Sequence, residues 1–242
     1  MIAKILKLLD NVQFRLFMVG GCTFMIISAL YMALLWSPNA MMASTGLPEP
    51  PTFRIIHFHV PSAITTYVAY LIVFVGSVLY LWKKDMRYDR WAAVACELGV
   101  LFNSMMLMTG MIWGRQRWGA WWIWEPRLTT AFILMLIFTG YLVLRSMIEN
   151  DVTRARFAAV FGIIGFIDVP IVRYSIKIWG NIMHPQVIKS VANPGMPPDM
   201  ILTLRYSGLA FGATFVTIYL MRLRAEILAA DIKKLRAAKN EH

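Results

Sequence analysis

Between residues 113 and 130 the chain reads Trp-Gly-Arg-Gln-Arg-Trp-Gly-Ala-Trp-Trp-Ile-Trp-Glu-Pro-Arg-Leu-Thr-Thr. Five of the chain's nine tryptophans fall here: Trp113, Trp118, Trp121, Trp122 and Trp124. They are interleaved with Arg115, Arg117 and Arg127 and with a single carboxylate, Glu125. Tryptophan offers wide apolar faces and one N–H donor. Arginine stacks on such rings and forks onto carboxylates. Together they read as a flat, aromatic, cationic surface suited to a large planar ligand with acidic edges. The competing reading is an anchoring belt, because tryptophan gathers at membrane–water interfaces whatever a protein does. Trp36, Trp82, Trp91 and Trp179 fit that belt. Five tryptophans within twelve residues, accompanied by glycines and arginines, exceed what anchoring requires.

The second set of candidates is the histidines. There are four, of which His242 ends the sequence and has no evident role. His57 and His59 precede Pro61, and His184 precedes Pro185, which biases it to an extended conformation. A neutral imidazole is a good axial ligand for haem iron, and haem is a planar molecule with acidic edges. The plainer reading of each is a solitary interfacial histidine. Spacing does not choose between His57 and His59, since residues two apart near a helix start can point the same way. Asp168 interrupts an apolar run, which makes it a functional candidate by default. It lies near the end of that run with Arg173 five residues on, so a local ion pair or hydrogen bond that orients the following loop is the expected role. Glu97 needs no special role.

These residues must be positioned by membrane helices. Of 242 residues 59% are hydrophobic and only 15% charged, with mean hydropathy +0.60, which is the composition of an integral membrane protein. Six spans are expected, at about 16–36, 60–82, 91–113, 128–144, 157–172 and 206–221, in one membrane domain covering 1–242. The 113–130 stretch is the platform between the third and fourth, with Pro126 as the first helical residue of the fourth. An amphipathic lead carries Ile2, Ile5, Leu6 and Leu9. A basic tail from Arg222 carries Leu228, Ile232 and Leu235 on one face, as expected for a helix on anionic lipid. The first apolar run lacks an A-x-A cleavage site, so it is read as a retained helix.

The net charge of +11 does not signal nucleic acid, because the cations lie at the ends of apolar runs. Sixteen of the 24 Lys and Arg residues lie on the side of the termini and eight on the other. By the positive-inside rule both termini are cytoplasmic. The tryptophan-rich stretch and His57, His59 and His184 then face outward, toward the periplasm in a bacterial inner membrane. Cys22 and Cys96 lie in separate apolar segments without a CxxC or CxxCH motif, which excludes a redox dithiol and covalent haem attachment.

Trp113-Gly114, Trp118-Gly119, Trp121-Trp122 and Trp124-Glu125, followed by Arg127-Leu128-Thr129, resemble the "WWD" signature of haem-handling proteins. With His59-Val60-Pro61, Val169-Pro170-Ile171-Val172, His184-Pro185, six spans and about 240 residues, the chain resembles the haem exporter protein C family (CcmC) of cytochrome c maturation over nearly its whole length. The resemblance implies a haem-binding protein of the inner membrane that is not an enzyme. It takes haem b as cargo at the outer face and delivers it to the haem chaperone CcmE, working with the ABC-type subunits CcmA and CcmB and the small protein CcmD. It also implies His59 and His184 as axial ligands, because His57 has no counterpart in the His-Val-Pro motif. Trp113, Trp118, Trp121, Trp122, Trp124, Glu125 and Arg127 would contact haem or its propionates. The family's acid is aspartate followed by a small residue, whereas here it is Glu125-Pro126. One rival is a permease subunit carrying haem across the bilayer, against which only the fifth span shows a mid-run charge. Another is a quinone-linked redox anchor, which would need ligating histidines inside the spans.

Overall fold

The computed structural model describes residues 6–38, 50–179 and 196–240, and every regular element among them is helical. Helix α1 (Val12–Tyr31) runs on through a π-helical turn, Met32–Trp36. A 3-10 turn, Pro51–Ile55, leads into α2 (Ile56–Lys83), which is followed by α3 (Met86–Trp118), α4 (Pro126–Met147) and α5 (Asp151–Phe166). Next come α6 (Asp168–Trp179) and α7 (Pro198–Asn240). Six spans are long and apolar enough to cross a membrane: Val12–Trp36, Pro51–Lys83, Met86–Trp118, Pro126–Met147, Asp151–Ser175 and Pro198–Lys233. The protein is thus an all-α polytopic membrane protein, as the composition requires.

Each span outruns its charge-free stretch, and the caps explain why. Lipid requires every backbone group to be satisfied within the helix, but polar capping residues sit beyond the apolar run. Asn11 accepts from Gln13 and Phe14, Asp85 from Arg87, and Asn150 from Val152 and Thr153. Glu125 Oε1 accepts from the Leu128 N–H at 2.8 Å, and Pro126 takes the first helical position, where no N–H is needed. Helix α3 ends only at Gly119, whose φ of 74° is left-handed. At 33 residues α3 is about 50 Å long against a hydrocarbon core of about 30 Å, so its end stands clear of the lipid tails. Pro170 lacks the N–H that would continue α5, and the fifth span breaks at Ile167. Pro170 is then accommodated in the first turn of α6.

The core lies among α2, α3, α4 and α6, where Tyr70 stacks on Phe138 with centroids 3.7 Å apart beside Cys96, Met106, Leu134 and Val172. Helix α1 is mostly lipid-facing and is tied to α7 by Ser28 Oγ···Tyr206 hydroxyl at 2.6 Å and Cys22 Sγ···Thr217 Oγ1 at 3.1 Å. At the end of the bundle away from 119–125, four arginine or lysine contacts join the helices. Arg145 binds both oxygens of buried Asp89, at 2.5 and 3.0 Å, and lies over the Tyr141 ring. Arg222 binds Glu97 at 2.8 and 3.0 Å, which gives Glu97 a role that the sequence does not announce. Arg224 binds Asp10, and Lys233 reaches Asp151 at 2.9 Å. The basic tail is therefore no separate element: it continues the sixth span as one helix and is fastened to the bundle through three of its cations. Leu228, Ile232 and Leu235 nevertheless form its exposed apolar stripe.

The Asp89–Arg145 pair should dominate the stability of this end. Arg145→Leu strands a carboxylate that is 4% exposed and should cost about 3 kcal/mol or more. Lys233→Leu, from a pair 72% and 43% exposed, should cost less than about 1 kcal/mol. Reversible unfolding in mixed micelles with SDS measures both.

Candidate functional site

At the end that carries 119–125, helices α2, α3, α4 and α6 line a cavity of about 500 Å³ counting the open solvent at its mouth. Helix α2 contributes His59, Ala63 and Tyr67, and α3 contributes Met106, Leu107, Gly110, Met111 and Trp118. Trp122 comes from the connection, Arg127, Leu128 and Ala131 from α4, and Val172 from α6. From His59 to Tyr67 the cavity follows α2 for about 12 Å. His59 and Arg127 stand toward the 119–125 end, and the floor is apolar apart from Tyr67.

The two neighbouring histidines part company here. The expectation that both could face one way assumed a loose helix start, but regular helix begins at Ile56. Two residues along an α-helix turn the side chain through about 200°. His59 faces α3, where Nδ1 lies 3.1 Å from Thr109 Oγ1. His57 is 0% exposed and faces the end of α1, with Nε2 3.2 Å from Ser37 Oγ. His184 lies outside the described residues.

The tryptophans do not form a flat surface. Trp113 and Trp118 pack edge to face, with centroids 5.2 Å apart at 81°. Trp122 meets Trp124 at 77° and Phe132 at 69° in the same manner. This follows from helix geometry and ring quadrupoles, since edge-to-face contact is favoured over a planar array. Trp118 and Trp122 line the cavity, whereas Trp121 and Trp124 do not and are 56% and 76% exposed. Glu125 spends Oε1 on capping α4 and so fixes where Arg127 begins its turn. Any carboxylate of similar reach can cap a helix, which accounts for glutamate serving here.

The arginines also separate. Arg115 donates to the Gly119 carbonyl and so stabilises the end of α3, and Arg54 donates to the Leu34 carbonyl. Arg127 lines the cavity, and no hydrogen bond or ion pair ties it to another described residue. Asp168 opens α6 rather than pairing with Arg173: its Oδ2 is buried without a hydrogen-bond partner among the described residues, within electrostatic reach of Tyr67.

Sequence reading missed Gly110 and Gly114, although the signal was present as Gly-x-x-x-Gly in an apolar run. A Cβ on Gly110 would stand 3.2 Å from His59 Cε1, and one on Gly114 would stand 2.8 Å from the Trp118 ring. The bare backbone of α3 is what lets an imidazole and an indole lie against it.

A family model described as Heme exporter protein C matches residues 3–238. The chain is 30% identical over 210 residues to a Heme exporter protein C of Escherichia coli K12, covering 86% of this chain and 84% of that protein. It is 30% identical over 199 residues to one of Bradyrhizobium diazoefficiens, covering 82% of this chain and 75% of that protein. It is also 31% identical over 171 residues to a putative cytochrome c biosynthesis ccmC-like mitochondrial protein of Marchantia polymorpha, covering 71% and 70% respectively.

Gly114→Ala must displace the Trp118 indole, whereas Gly208→Ala meets nothing within 4 Å. The near-ultraviolet circular dichroism of the tryptophans should change for the first variant and match wild type for the second.

Proposed function

The chain belongs to the haem exporter protein C family, and we propose that it holds haem b as cargo at the periplasmic end of its bundle and delivers it to the haem chaperone CcmE. The family's role is haem handling for cytochrome c maturation. The observation that carries the finer reading is the joint lining of one cavity by His59, Trp118, Trp122 and Arg127. These supply an iron ligand, two indole walls and a cation for a propionate.

Haem would enter with an apolar edge toward Ala63, Met106 and Ala131 and with its propionates near Arg127. Each 100 Å² of porphyrin surface removed from water contributes about 2.5 kcal/mol. Arg127 stands on the first turn of α4, where the helix dipole adds positive potential to its own charge. His59 gives one axial ligand, and His184 is proposed as the other. The exposed rims of Trp121 and Trp124 leave the site approachable, as hand-over requires, and Trp113 supports Trp118 from behind. Glu125 acts through the start of α4. The excess of Lys and Arg at the opposite end supports the orientation, with both termini cytoplasmic in a bacterial inner membrane. CcmA, CcmB and CcmD are proposed to complete the assembly. The chain binds and releases haem without making or breaking covalent bonds.

The test is visible spectroscopy of protein purified with the rest of its system, oxidised and reduced. Wild type should show six-coordinate haem, and His59→Ala and His184→Ala should each change that spectrum. Absence of haem, or unchanged variant spectra, would sink the reading. Arg127→Ala should weaken haem binding by about 10- to 100-fold, the worth of a hydrogen bond to a charged group. Arg115→Ala, at a guanidinium engaged by its own helix, should stay near wild type in the same haem titration.

A further inference from the structure

We propose that Thr109 is a positioning residue for His59, accepting its Nδ1–H and so presenting Nε2 as the nitrogen that takes iron. The identity of the iron as haem rests on the proposed function, whereas the hydrogen-bond direction does not.

The direction follows from counting hydrogens. Thr109 Oγ1 lies 2.7 Å from the Met105 carbonyl oxygen, 3.0 Å from that of Met106 and 3.1 Å from His59 Nδ1. Carbonyl oxygens only accept, and the hydroxyl has one hydrogen. Directing that hydrogen at Nδ1 would leave two oxygens facing each other at 2.7 Å with nothing between them. The hydroxyl therefore donates to Met105, the bond a helical threonine makes one turn back. Its lone pairs are left toward Nδ1, which must carry the imidazole's hydrogen. In a neutral imidazole the other nitrogen, Nε2, then holds the lone pair.

This seat is rigid. The bond to Met105 fixes the threonine rotamer, and the threonine in turn fixes the ring. Gly110 lets the ring lie against the α3 backbone beside Thr109, since a Cβ there would stand 3.2 Å from His59 Cε1 and 3.6 Å from Nδ1. Metal-ligating histidines are commonly held this way through their second nitrogen, and loss of the outer partner typically weakens metal binding about 10- to 100-fold. Thr109 thus links the interior of α3 to the orientation and basicity of a side chain on α2.

The experiment compares wild type, Thr109→Val, which keeps the shape without the oxygen, and Thr109→Ser, which restores it. Ring ¹⁵N NMR of histidine-labelled, haem-free protein, with the His59 signals assigned from a His59→Gln sample, reads the tautomer directly. Wild type and Thr109→Ser should show Nδ1–H, and Thr109→Val should move toward Nε2–H, the form that free imidazole prefers. Haem titration of the same proteins should show affinity reduced about 10-fold in Thr109→Val and recovered in Thr109→Ser. An Nε2–H signal in wild type, or a Thr109→Val protein with unchanged tautomer and unchanged haem affinity, overturns the proposal. If His59→Ala binds haem as wild type does, the ligand assignment falls, and the haem-free spectra alone decide the Thr109 contact.

Discussion

The site depends on how closely α2 and α3 approach each other at one end of the bundle. In lipid, helices gain little from hiding apolar surface and associate instead through close packing and interhelical hydrogen bonds. Here both occur at one place. Gly110 bares the α3 backbone where the His59 ring of α2 lies over it, and Gly114 makes room for the Trp118 ring of α3 itself. Thr109 adds the hydrogen bond. With a larger side chain at Gly110, helix packing would have to choose between keeping the seam and keeping the His59 ring. As built, the seam between the helices and one wall of the cavity are the same surface.

The two ends of the bundle use different physics. At the end bearing the N-terminal segment and the tail, ion pairs from Asp10, Asp89, Glu97 and Asp151 join α1's lead, α3, α4, α5 and α7. Of these, Asp89–Arg145 is largely dry and costly to break, whereas the three more exposed pairs each contribute little but link several helices. At the other end, Arg127 is not joined to a described carboxylate, and aromatic edges and hydrogen bonds are prominent among the described residues. An end held by dispersion and quadrupole contacts can admit a planar ligand without first breaking strong pairs. The locked end supplies the rigidity that the open end lacks.

The sequence made the helices legible because lipid imposes a long charge-free run on each. Their ends were not legible from that run, since caps such as Asn11, Asp85 and Asn150 lie outside it. The candidate site was legible in its residue types: His59, Trp118, Trp122 and Arg127 do converge on one cavity. Its shape was not. A row of tryptophans in sequence reads as a plane, but Trp113 and Trp118 sit on a helix while Trp122 and Trp124 sit on an irregular connection, so their rings meet edge to face. His57 and His59 were inseparable by spacing until the helix start at Ile56 put them on opposite faces. Asp168 and Glu97 exchanged the expected roles: Asp168, expected to pair, lacks a hydrogen-bond partner for Oδ2 among the described residues, while Glu97, expected to need none, carries a bidentate pair.

A carrier of this kind faces a conflict between holding and releasing. Apolar burial alone would make affinity grow with the area covered, and a pocket that covered both porphyrin faces would release slowly, since affinity differences between related complexes fall mostly on dissociation. Directional contacts offer another route. On the proposed function, a ligand nitrogen fixed by Thr109 and a propionate at Arg127 would constrain orientation at two points while Trp121 and Trp124 stay exposed. Orientation then comes from a few pre-set groups and affinity from a moderate area. On that reading, release would need two axial ligand bonds and one charge contact to be exchanged, which an incoming acceptor protein could replace in turn. On the proposed function, the half-open cavity is thus a requirement of the task, and the rigid seat under His59 is what allows so open a site to bind in one orientation.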